Sequence, residues 1–108
     1  MANTPDYPSF ERSLKDVSPP ASLTPELQAM WWVRRDDWAR AHLIVQDLES
    51  AASAQVHAHL HRVEGDLDNA NYWYRRAGVP SCDAPLQTEW ESLTKALLSQ
   101  ASADSALR

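Results

Sequence analysis

The residues of this chain best suited to chemistry are its histidines and the acid that follows them. His57, His61 and Glu64 are spaced by four and then three positions. At 100° per residue, a helix places them within about 60° of one another. Two imidazoles one turn apart, with a carboxylate one turn on, form a ligand set suited to Zn²⁺ or Fe²⁺. His42 supplies a fourth ligand if its helix packs on that flank. The metalloprotease pattern is missing, because that pattern needs Glu directly after the first His. Histidines at the edge of an apolar face also serve structure, bonding to a carboxylate or a carbonyl. Such a structural polar cluster, without cofactor, is the expectation. A small metal-dependent or proton-transferring enzyme on His42, His57, His61 and Glu64 is the alternative.

A second group lies in Tyr72-Trp73-Tyr74-Arg75-Arg76. Arg pairs with carboxylates and phosphates, and Trp flanks cations and rings. Trp73 and Arg76, three apart, are candidates to line a groove for a small anionic ligand; packing and ion pairs to Glu64, Asp66 or Asp68 are the structural reading. Gln55, His59 and Arg62 fall on the flank of their helix opposite the His57–Glu64 set. They are candidates for a groove that takes an acidic peptide or a carboxylate. Cys82 precedes a predicted helix start, where a thiol pKa can fall, but no His neighbours it. A P-loop, a dinucleotide fingerprint and a Gly-x-Ser-x-Gly elbow are all missing from the sequence.

These side chains need helices to position them. Thr24-Pro25 caps a helix that ends near Arg35, with Leu27, Met30 and Trp31 at helical spacing. Asp36-Asp37 opens the next, with Trp38, Ala41, Val45 and Leu48 on one face. A break is expected near Ser50, although one continuous helix also fits. A third runs over 51–64 on Val56, Leu60 and Val63 and stops at Gly65. A fourth, capped by Asp66, carries Leu67, Ala70, Tyr74 and Ala77 and ends at Gly78 and Pro80. A fifth follows Asp83 and Pro85 on Leu86, Trp90, Leu93 and Leu97. The expected organisation is an extended arm over 1–22, one helical-hairpin domain over 23–98 and a frayed tail over 99–108. Within the arm, Tyr7 and Phe10 are candidates to pin it to the body, with a short helical turn around Ser9–Lys15.

The second and fourth helices repeat. Asp37-Trp38 with Ala41 and Val45 matches Asp66-Leu67 with Ala70 and Tyr74, at an offset of about 29 residues, which suggests stacked hairpins. The run Gly65-Asp66-Leu67-Asp68-Asn69-Ala70 through Tyr74 and Ala77 resembles the second helix of a tetratricopeptide repeat. The offset is short of that repeat's ~34 residues, and the first helix lacks its usual Trp and Leu. The longer run His57-Ala58-His59-Leu60-His61-Arg62-Val63-Glu64-Gly65-Asp66 with Asn69-Ala70-Asn71-Tyr72-Trp73-Tyr74-Arg75-Arg76-Ala77-Gly78 resembles a family of small uncharacterised helical proteins of bacteria and fungi. Trp38, Ala41, His42, Gln46 and Glu89-Trp90-Glu91 fit it too. The resemblance implies an all-α fold and no particular activity.

Composition agrees with an all-α protein of about five helices. The 108 residues include only two glycines, too few for a hairpin-rich sheet protein. The net charge of −5 argues against nucleic acid as a partner. No apolar run approaches the ~18 residues of a membrane span, so no membrane is expected either. One cysteine and no signal-like start point to the cytoplasm. Five tryptophans are the expected anchors. Trp31 and Trp32 point about 100° apart, so one of them, or Trp90, is a candidate for a homo-oligomer contact. The leading functional expectation is a non-catalytic, tetratricopeptide-like module for a protein, peptide or small anionic ligand. The His/Glu metal enzyme and a homo-oligomeric structural protein are the alternatives.

Overall fold

The computed structural model describes residues 4–106. It has six helices, and no strand occurs among the described residues: α1 Tyr7–Ser13, α2 Pro25–Arg34, α3 Trp38–Val45, α4 Ala51–Glu64, α5 Leu67–Ala77 and α6 Leu86–Ala106. Side-chain caps set most of the starts. Asp6, Thr24, Asp37, Ser50 and Asp66 each accept from the backbone N–H three residues on. That satisfies one of the orphan donors of each first turn. Gly65 and Gly78 close α4 and α5 in the left-handed conformation, with φ of 86° and 75°. α3 and α4 are separate helices, because Ser50 caps α4 and the chain turns after Gln46.

α1 is the helix beyond the expected five. It forms because Asp6 caps it and Pro8 fits its first turn. The segment expected to be an extended arm therefore carries a helix, and Phe10 on it is fully buried. The expected tail also differs. α6 continues to Ala106, since no Gly or Pro interrupts it, and Ala101 packs on the core.

α2 packs on α3, and α4 packs on α5. α4 is the hub, touching α2, α3, α5 and α6. Its six consecutive residues Val56–Leu60 and His61 are therefore buried around the whole circumference. The main core joins Phe10, Leu27, Met30, Trp31, Val45, Val56, Leu60 and Trp90. Three tryptophans find partners for their indole N–H, as buried indoles must. Trp31 donates to Ser13 Oγ at 3.1 Å, Trp38 to the Leu60 carbonyl at 2.7 Å and Trp90 to the Met30 carbonyl at 2.9 Å. Three apolar positions of the expected stripes lie at the surface instead: Val63 is 40% exposed, Leu67 60% and Leu86 39%.

Candidate functional site

A helix surrounded on all sides must bury whatever it carries. On α4 this takes three imidazoles out of water, and they go to two different places. His57 and His61, four apart, turn toward α3 and meet His42. His59, between them, turns toward α6.

His42, His57 and His61 each offer a ligand atom, and these atoms all lie within 4.8 Å of one another. His57 Nε2 sits 2.9 Å from His42 Nε2. His61 Nδ1 bonds to Glu64 Oε1 at 2.5 Å, which leaves its Nε2 free for another partner. His57 and His61 are buried, and His42 is half-buried. The rings are held by stacking. Trp38 lies parallel to His42 with centroids 4.8 Å apart, and Trp73 lies parallel to His57 at 3.9 Å. His57 and His61 stack at 5.0 Å. Burial, and then the neighbouring imidazoles His42 and His61, push His57 down to about 4. Burial also lowers His42, His61 lowers it further, and Glu64 opposes the shift. Both are therefore neutral at pH 7. Of two neutral imidazoles facing each other through Nε2, one must donate and the other accept, so they hold opposite tautomers.

The second place is a buried carboxylate. Glu89 on α6 is 8% exposed and takes three donors. His59 Nδ1 lies at 2.7 Å and Arg62 Nη1 at 2.8 Å, both on Oε1, and the Tyr74 hydroxyl donates to Oε2. Arg62 also donates from Nη2 to the Ala84 carbonyl at 2.6 Å. Burial alone would raise the Glu89 carboxyl, but the hydrogen bonds from His59 and Tyr74, with Arg62, hold it at about 2. The Tyr74 hydroxyl is pushed well above its ordinary value by burial and by that carboxylate.

The structure thus divides the sequence candidates. It brings His42, His57, His61 and Glu64 together, and it adds Trp73 as the cover of His57. Arg76 lies over the Trp73 ring at 5.4 Å and donates to the Tyr72 hydroxyl at 3.1 Å. Arg76 and Trp73 so form a stack over His57. The ion pairs of the described residues do not include Arg75 or Arg76. His59 and Arg62 both bond to Glu89, and half-buried Gln55 lines a cavity beside Glu89. Trp31 and Trp90 are core residues, and Trp32 is half-buried with Arg40 over its ring. Cys82 is half-buried beside Ala58, Ala70 and Tyr74.

Sequence reasoning missed Glu89, Tyr74 as its partner, and Trp38 as the plate on His42. The available signal was weak: Glu89 falls on α6 directly before the core residue Trp90, and Tyr74 is an inward position with a polar tip. No family model, curated protein or solved structure matches the chain.

Proposed function

We propose that this chain is a metal-binding protein whose three-histidine centre, His42, His57 and His61, holds one divalent ion of the zinc class. One observation carries the reading: ring nitrogens of all three converge within 4.8 Å, from two helices. A purely structural histidine is satisfied by an acceptor of its own. Among the described residues, His42 and His57 hydrogen-bond only to each other, at 2.9 Å. Tetrahedral zinc with Zn–N bonds of ~2.0–2.1 Å needs nitrogens about 3.3 Å apart, so a small opening of the pair suffices. The neutral state of His42 and His57 is the ligating state. Glu64 on His61 Nδ1 supplies the carboxylate–histidine partner that fixes a ligand's tautomer.

Three protein ligands leave the fourth position of a tetrahedral ion open, which is the arrangement of catalytic rather than structural zinc sites. Half-buried His42 marks the side from which solvent reaches it. Such an ion acts as a Lewis acid on a bound water or oxygen ligand. This reading places the enzyme alternative above the interaction module. The paired hairpins α2–α3 and α4–α5, with Ala41 and Ala70 and then Val45 and Tyr74 buried at matching positions, support a tetratricopeptide-like duplicated scaffold beneath the site.

The test is metal content and zinc titration of protein purified without a polyhistidine tag. One zinc per chain is expected, with a rise in melting temperature on loading, since binding the folded state stabilises it. His57→Ala and His61→Ala should each abolish retention. Glu64→Gln should weaken affinity by roughly 10–100-fold. His59→Ala should destabilise the protein yet keep the metal, because His59 serves Glu89. Retention of zinc by His57→Ala, or no binding by the parent protein, overturns the reading.

A further inference from the structure

On the other side of α4 lies a cavity of about 580 Å³ between the 79–85 segment and α6. That size falls within the range of small-molecule sites. The segment beside it is pinned at three points. The Val79 amide donates to the Tyr74 carbonyl at 3.2 Å, Ser81 Oγ donates to Asn71 at 2.8 Å, and Arg62 holds the Ala84 carbonyl. The cavity is therefore built by the fold rather than left between unattached segments. Its walls include apolar Val79, Leu93 and Ala96.

The charges that line it have one sign. Glu89 and Asp83 are the two ionisable acids on its surface, and no Lys, Arg or His lines it. Arg62, the nearest cation named above, is spent on Glu89 and Ala84. A carboxylate has about four lone-pair sites. Glu89 uses two on Oε1 and one on Oε2, so one acceptor site on Oε2 remains, on a side chain that lines the cavity. An apolar cavity with an unfilled carboxylate acceptor and an acidic partner selects an N–H donor carrying positive charge.

We propose that this cavity binds a small organic ammonium, an apolar body bearing one primary amine, with the amine on Glu89 and Asp83. The site is separate from the histidine centre and does not depend on it.

The experiment is a titration of ¹⁵N-labelled full-length protein with benzylammonium chloride, followed by amide chemical shifts. Benzoate and benzyl alcohol are the matched anionic and neutral probes at the same ionic strength. Saturating shifts at Cys82, Thr88 and Ala96 are expected with benzylammonium, with at least a tenfold weaker response to the other two. Glu89→Gln risks the fold, so two surface variants carry the test. Ser92→Trp, at an exposed lining position on α6, should abolish the response by filling the cavity, and Asp83→Asn should weaken it several-fold. No saturable shift with benzylammonium, an equal response to benzoate or benzyl alcohol, or full binding by Ser92→Trp overturns the proposal.

Discussion

At the scale of single residues, the molecule is organised by where it puts charge in its interior. Glu89 is tolerated because three donors meet it, and breaking such an arrangement leaves a neighbouring charge uncompensated. Its carboxyl titrates at about 2 in the folded protein, below the ordinary value of 4.5. A folded value below the unfolded one means that the stabilisation is complete above pH ~4.5 and is lost as the pH falls toward 2. By linkage it amounts to about 3 kcal/mol. Urea unfolding at pH 7, 5 and 3 should show it as a difference between the parent protein and Glu89→Gln. The gap should be wide at pH 7 and narrower at pH 3. An unchanged gap would mean that Glu89 is not ionised at neutral pH. None of this was legible in the sequence. The pattern His57, His61 and Glu64 was legible, because it is local to one helix. Glu89 and Tyr74 meet His59 and Arg62 only through the packing of three helices, and no spacing rule encodes that.

At the scale of elements, caps and stops were the most readable features. Thr24-Pro25, Asp37, Asp66, Gly65 and Gly78 act where local chemistry puts them, since each satisfies or relieves its own backbone. The apolar stripes were less reliable. Val63 and Leu67 continue their helices' periodicity but stand in solvent, on either side of the tight Gly65 turn. The repeat explains part of this: Trp38 in the first copy lies over His42, whereas Leu67 at the matching position of the second copy covers nothing of that kind. The turn itself is a strong test. Gly65 adopts φ of 86°, and a Cβ built there meets no atom within 4 Å. Any penalty of substitution is therefore backbone strain and not a clash. Gly65→Val should cost roughly 1–3 kcal/mol in a denaturation curve. Zinc stoichiometry should be unaffected, because the histidines precede the turn. A negligible shift would show that the turn relaxes without cost.

At the scale of the whole molecule, the N-terminal segment belongs to the fold. Composition pointed the other way, because the prolines of residues 1–22 read as an extended chain. The reason lies in partners that are distant in sequence. Phe10 is fully buried and sits 6.0 Å from the Trp90 ring of α6, and Ser13 accepts the indole N–H of Trp31 in α2. α1 thus bridges helices that lie about 20 and 80 residues further on. It also packs on the middle of α6, where the Tyr7 ring lies 4.8 Å from the Lys95 ammonium. If α1 were an appendage, truncating Phe10 would barely matter. As a core residue, Phe10→Ala should cost about 3–5 kcal/mol, from lost burial and the cavity left behind. For a domain of this size that lowers Tm by roughly 10 °C or more. The unfolding should remain a single transition, because the lost contacts belong to the main core. The readout that decides is the coincidence of tryptophan fluorescence with far-ultraviolet circular dichroism during urea unfolding. Both should move together to lower urea. An early, separate fluorescence change, with the helical signal unmoved, would mean that α1 and its tryptophan partners melt as an independent unit.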